Sequence, residues 1–405
     1  MNPTLNRLHT SLPASSQNSR IESIDVLRGL VMVIMALDHV RHLFHSTAFT
    51  DNPLNLATTT PALFFTRWIT HSCAPIFVFL SGTSIYLQSQ RKTKRELSIF
   101  LIKRGLWLIF TEVTIVTLGI TFNPFYGALI LQVIWAIGSS MLILGLLIHL
   151  PFRLILSIGL AIVLGHNLLD TPEAVPGFKP GLCWAVLHYP GKYRFAVDHQ
   201  INYDYPFMPW LGLMLVGYCA GVFFVSTVTR AQRRMILTRT GLGLIAFFIL
   251  LRFSNTYGDP LVWSPQKNGL FTLLSFINVQ KYPPSLLYMC ITIGPALLFL
   301  AVIESLRNRL TTVMRTFGRT AFFYYIIHWY LIHTLCLIAF LMRGHAWAAI
   351  WKIPKAIKFI VPGEGVSLPV VYLIWGLVIL TMYPLCRWYD AYKTSHQKQW
   401  WLSYL

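Results

Sequence analysis

Residues 24–45, IDVLRGLVMVIMALDHVRHLFH, decide how the rest of the chain is read. Most of the stretch is apolar and long enough to cross a bilayer, yet it carries Asp25, Arg28, Asp38, His39, Arg41, His42 and His45. At a helical rise of about 1.5 Å, Asp38 lies roughly 20 Å beyond Ile24, past the midplane of a hydrocarbon core about 30 Å thick. Ionisable groups at that depth are costly and normally face a protein interior or a water-filled cavity, where they carry function. Asp38, His42 and His45 fall at i, i+4 and i+7 on one helical face, with His39 on the adjacent flank. A membrane helix that gathers imidazoles and a carboxylate near one end is a candidate active-site wall. The plainer alternative leaves only Asp38 and His39 inside, with Arg41, His42 and His45 snorkelling to the interface.

Composition supports a membrane setting. The chain is 55% hydrophobic and 12% charged over 405 residues, with a mean hydropathy of +0.58. Soluble domains carry roughly a quarter charged residues. The net charge of +19 is not a nucleic-acid signature, because the basic residues sit between apolar runs as topology signals do. The six cysteines show neither metal-ligand spacing nor a disulfide framework, and no HExxH, phosphate-cradling glycine loop or nucleophile elbow is present. No metal is expected.

Apolar runs outside the first helix place further spans near residues 62–87, 99–122, 127–150, 152–168, 207–228, 241–253, 285–303, 317–341 and 368–386. The fold class is therefore all-α, a polytopic bundle of about ten transmembrane helices. A polar tail over 1–20 precedes a membrane domain over 21–390, and a second tail covers 391–405. Residues 270–276 are too short to cross and read as re-entrant or interfacial, and 345–360 resembles a helix lying on the membrane surface. The lysine and arginine bias of the short loops puts both termini in the cytoplasm. Asp38 to His45 then lie toward the outer face and Arg28 toward the inner one.

The second span adds Arg67 and His71 one turn apart, with Pro75 removing a backbone hydrogen bond just beyond. The ninth adds Tyr324 and His328, four residues apart, as a second cavity wall. Glu112 in the third span is expected to neutralise a nearby arginine. Histidine and carboxylate inside a membrane suit general base catalysis on an amine or hydroxyl, and equally a proton relay in a secondary transporter or a lipid- or glycan-handling protein.

RIESIDVLRGLVMVIMALDHVRHLFH, APIFVFLSGTSIYL, LQVIWAIGSSM, PFMPWLGLMLVGY, NVQKYPPSLLY and FGRTAFFYYIIHWYLIH together resemble the bacterial branch of the heparan-α-glucosaminide N-acetyltransferase catalytic-domain family, within the wider membrane acyltransferase superfamily. The resemblance implies a multi-helix enzyme of the bacterial inner membrane that takes an acetyl or other acyl group from cytoplasmic acyl-CoA. It implies an amino-sugar or glycan acceptor on the opposite side and a key histidine at the outer end of the first helix. The lysosomal enzymes place an asparagine and a glycine-rich stretch between Asp-x-x-Arg-Gly and that histidine. Here the interval is shorter: His45 matches the family histidine if a small gap is allowed, and His39 takes the asparagine position.

The reading is an acyl-CoA-dependent N- or O-acetyltransferase. His45 or His39 would serve as base or transient acyl carrier, with Asp38 orienting the imidazole. Arg28, Arg104 and Lys103 would bind coenzyme A phosphates. His42, His71, Arg67, His328 and Tyr324 would line the substrate cavity. The partners are the lipid bilayer, acyl-CoA and the acceptor, and the reading accommodates a homo-oligomer.

Overall fold

The computed structural model describes residues 21–352, 357–396, 398, 399 and 402. The tail expected over 1–20 lies outside them, as does Lys355 in the expected surface helix. Helices dominate. α1 (Glu22–Phe44) is followed by α2 (Pro61–His71) and α3 (Cys73–Ser89), then α4 (Lys94–Thr111), a π turn over Glu112–Val116 and α5 (Thr117–Thr121). Next come α6 (Val133–Leu147), α7 (Phe152–Gly165) and two short helices, α8 (Asp170–Glu173) and α9 (Leu182–Leu187). The rest of the bundle is α10 (Phe207–Ala220), α11 (Arg230–Ser254), α12 (Gly269–Ile277), α13 (Leu286–Ile303), α14 (Arg309–Arg319), α15 (Ala321–Met342) and α16 (Leu368–Ser395). Among the described residues, seven helical stretches are long and apolar enough to cross a membrane. The surface segment after α15 forms only a short 3-10 turn, Trp347–Lys352.

The second span is not one helix. It breaks at Ser72, between α2 and α3. Pro75 has no N–H to return to the His71 carbonyl, and Tyr288 on α13 fills that gap by donating its hydroxyl at 2.5 Å. The break therefore fixes a contact instead of loosening the chain.

Helix was expected from residue 127, but Ala128–Leu131 is a strand, β1. It pairs in parallel with β3 (His199–Tyr203), which pairs antiparallel with β2 (Gly191–Ala196). A short apolar run satisfies either geometry, and here a ladder with a distant segment won. The arrangement also reassigns Glu112. Instead of meeting an arginine, its Oε1 accepts the Gln132 N–H at 2.7 Å, at the start of α6. A carboxylate suits a helix N-terminus, where unpaired N–H groups and the dipole are positive.

α1 runs through the middle of the bundle and packs on α2, α3 and α13 to α16. Its closest neighbour is α14. A Cβ on Gly29 would stand 1.7 Å from the Met314 carbonyl oxygen, and one on Gly318 would stand 1.8 Å from that of Asp25. The two backbones touch directly, which only small residues permit.

Candidate active site

Acidic Glu22 and Asp25 in the first turn of α1, and basic Arg41 and His42 in its last, complement the helix dipole at both ends. The glycine contact holds Arg28 in place near the first end. Its guanidinium donates to Asp25 Oδ1 and Ser84 Oγ, each at 2.9 Å. Beside it opens a cavity of about 1330 Å³ lined by Arg28, Arg91, Lys92, Arg104, Arg230 and Arg319, among others. Its wall turns apolar at Met32, Val133, Ile137 and Phe77, and Tyr325 also lines it. Arg104 therefore joins Arg28, whereas Lys103 is exposed on α4 and does not line the cavity.

Two turns beyond Met32, α1 presents His39 to α15. The His328 Nδ1 lies 2.9 Å from the Tyr324 carbonyl oxygen. That oxygen can only accept, so Nδ1 carries the proton and, in a neutral ring, Nε2 carries a lone pair. His328 Nε2 stands 2.7 Å from His39 Nδ1, which is then the donor. This leaves His39 Nε2 as the free base of the pair. His328 is 0% exposed, so its ring orientation is set by packing as well as by the carbonyl. Trp329 stacks on His39 with ring centroids 3.8 Å apart. Tyr324 serves through its backbone carbonyl and through its ring, which stacks on His328 at 5.3 Å.

Asp38 is committed elsewhere. Oδ1 accepts from Arg41 Nη2 and from Thr70 Oγ1, both at 3.0 Å, and Oδ2 takes the Arg67 guanidinium. It hydrogen-bonds to none of the described histidines. Its task is to neutralise two guanidiniums inside the bundle, and breaking such a buried pair costs about 3–5 kcal/mol. Arg67 thus belongs to the Asp38 cluster.

His45 caps the C-terminus of α1. Thr47 engages its Nδ1 twice, with the hydroxyl at 2.9 Å and the N–H donating at 3.2 Å, which occupies that lone pair and leaves the proton on Nε2. Its backbone is tied to the chain before α16, with Val366 N–H donating to the Phe44 carbonyl at 2.7 Å. His42 packs on Phe49, centroids 4.4 Å apart. His71 is buried and meets Tyr288 edge-on at 6.0 Å. Of the expected residues, His39, His328 and Tyr324 form one hydrogen-bonded unit and Asp38 and Arg67 a second. Arg28 and Arg104 share the basic cavity.

Several residues escaped the sequence reading. Thr70 and Tyr288 gave no signal beyond being polar in apolar runs. Lys281 did: it is a lysine on the side where cations are sparse, within NVQKYPPSLLY. It is 7% exposed, its ammonium lies 5.1 Å from the Tyr282 ring centroid, and it stands within electrostatic range of Asp38, His39 and His71. Arg230 and Arg319 also line the basic cavity.

The family model described as heparan-alpha-glucosaminide N-acetyltransferase, catalytic, matches residues 20–250. No curated protein matches the chain. The matched segment carries α1 with His39, the Asp38 cluster and much of the basic cavity, and it ends before His328. Since it spans more than half of the sequence, the chain belongs to the heparan-alpha-glucosaminide N-acetyltransferase catalytic family, a family of membrane acetyltransferases.

Proposed function

We propose that this protein moves an acetyl group from acetyl-CoA, admitted at the Arg28 end of α1, to an amino or hydroxyl group of a glycan or amino sugar at the His39 end. The observation that carries this reading is the proton order along Tyr324, His328 and His39, which leaves His39 Nε2 basic. The donor is a polyanion with a long arm, and the basic mouth and apolar depth of the cavity suit both parts. His39 would take the acceptor proton as the nucleophile attacks the acetyl carbonyl and return it to the departing thiolate. Such general base catalysis contributes about 10²–10⁴-fold. His45 is less suited to the role, because the Thr47 N–H occupies its Nδ1. On this reading the basic cavity faces the cytoplasm, in keeping with the positive-inside pattern, and the acceptor lies outside a bacterial inner membrane.

The test uses the full chain in nanodiscs, scoring acetyl transfer to amino sugars and glycans beside acetyl-CoA binding. His39→Ala should lose at least about 10²-fold in rate with donor binding intact, and His45→Ala should lose less. Wild-type transfer in His39→Ala would remove His39 from the chemistry. Absence of acetyl-CoA binding to the wild type would return the histidine pair to a proton relay in a transporter.

A further inference from the structure

The mechanism above supplies a base but nothing to receive the negative charge that acyl transfer places on the carbonyl oxygen. Three cations, Arg41, Arg67 and Lys281, gather around Asp38 and His39. Arg41 and Arg67 are both held by Asp38. Lys281 is different. At 7% exposed it makes no ion pair and no hydrogen bond among the described residues, and its ammonium rests over the Tyr282 and Tyr205 rings, 5.1 and 5.9 Å from their centroids. Lysine is almost never buried without a partner, because a desolvated ammonium must recover what water gave it. Two ring faces return only part of that.

The chain holds this lysine firmly. It stands in the tight connection before α13, and both ends of that turn are pinned. The Ser285 N–H donates to the Gln280 carbonyl at 3.1 Å, and Asp259 Oδ2 takes the Gln280 N–H at 2.9 Å and the Ser285 hydroxyl at 2.6 Å. Val279, two residues before Lys281, is buried and shares a cavity wall with His71 and with Val31 and Ile34 of α1. The turn therefore lies against the helices that carry the site. The charge it brings there is unbalanced. Asp38 and Asp204 stand in range of the ammonium, and two carboxylates face Arg41, Arg67 and Lys281. A positive charge is left over before any substrate enters.

We propose that the Lys281 ammonium binds the oxyanion formed in acetyl transfer and is a catalytic residue of this enzyme. This rests on the acetyltransferase reading. The reaction itself makes the anion that the resting site lacks. The acceptor nitrogen or oxygen uses its lone pair to bond to the acetyl carbon. The carbonyl π pair moves to oxygen, where the ammonium donates a hydrogen bond and keeps its own proton, while His39 Nε2 takes the acceptor proton. Collapse restores the C=O bond and breaks the C–S bond, whose pair leaves on sulfur, and the thiolate takes the proton from His39. A fixed cation in a site that excludes water acts most strongly on charge that exists only in the transition state, so it raises kcat rather than ground-state affinity.

The test uses the full chain in nanodiscs and compares Lys281→Met, which removes the charge and keeps an unbranched side chain, with Lys281→Arg, which keeps the charge. Lys281→Met should lower kcat on the plateau of its pH profile about 10²–10³-fold, with KM for donor and acceptor and acetyl-CoA affinity within about threefold of wild type. Lys281→Arg should recover at least about tenfold of that loss. The unfolding midpoint of Lys281→Met should not fall, since an apolar chain in place of an unpaired buried charge removes a desolvation cost. A wild-type plateau in Lys281→Met overturns the oxyanion assignment while leaving the base intact. So does a loss confined to KM for acceptors bearing an acidic group, which would make Lys281 a ground-state anchor. A displaced acidic limb with the plateau intact also overturns it, since the ammonium would then act only through His39. A lowered midpoint, with Lys281→Arg no more active than Lys281→Met, would assign a structural role instead. A wild type that transfers no acetyl group overturns the acetyltransferase reading, and this proposal with it.

Discussion

His39 on α1 and His328 on α15 share one proton across 2.7 Å, and the Tyr324 carbonyl decides which ring holds it. The pair joins two helices almost three hundred residues apart in the chain and leaves the second lone pair on His39 Nε2.

If His39 is the base as proposed, His328 is its positioning residue, and His328→Ala should reduce transfer by roughly 10–10³-fold without weakening acetyl-CoA binding. The pH profile adds a readout that loss of packing would not move. With its hydrogen-bonded partner gone, the His39 tautomer is no longer imposed, so the acidic limb of kcat should shift. An unchanged rate and profile would show that His328 merely packs.

Donor binding separates two neighbouring cations on α4. Arg104 lines the basic cavity and Lys103 is exposed outside it, although both were read as phosphate ligands. Arg104→Ala and Arg28→Ala should weaken acetyl-CoA binding about tenfold or more, and Lys103→Ala by less than about twofold. Calorimetry showing Lys103→Ala as damaging as Arg104→Ala would move the nucleotide to the other side of α4.

The backbone contact between α1 and α14 leaves no room for a side chain. Gly29→Ala would thrust a methyl group into the Met314 carbonyl, a backbone atom that cannot step aside. The helices must separate, which displaces Arg28 and lowers the yield of folded protein by size-exclusion profile. Small-to-large changes in packed interiors cost about 1–3 kcal/mol and more where backbone is struck. A wild-type profile and wild-type donor affinity in this variant would mean the helices can slide freely.

Asp259, in the connection between α11 and α13, gives a stability signature. Its Oδ2 accepts from the N–H of Gln280, the residue before Lys281, at 2.9 Å and from Ser285 Oγ at 2.6 Å. Burial pushes its carboxyl up to about 6, against the opposing hydrogen bonds and Arg252. The folded protein then keeps this proton at pH values where the unfolded chain, near 3.8, has lost it. That contribution is fully present below about 4 and is lost as pH rises through about 6, so stability falls across the window. Asp259→Asn should flatten this part of the curve of unfolding midpoint against pH. The same slope in the variant would mean that Arg252 keeps the carboxylate ionised throughout.

Much of this protein was legible along the chain because a bilayer imposes a one-dimensional rule. Backbone polar groups must be satisfied within a segment, so apolar length and loop charge reveal helices. The same rule made Asp38 and His39 conspicuous, since charge is costly at that depth whatever surrounds it. The Asp-x-x-Arg-Gly element pointed to both Arg28 and Gly29. Tertiary structure decided the rest, because hydrogen bonds and ladders join segments whose separation leaves no periodic trace. Asp38 went to Arg41, Arg67 and Thr70 instead of a histidine because those donors converge from two helices. Residues 128–131 became a strand because β3 lay beside them. Lone-pair placement separated His39 from His45: a carbonyl on α15 frees one ring, and a neighbouring N–H occupies the other. Spacing along a helix carries no information about where a proton sits, since that depends on which acceptor another helix brings within 3 Å.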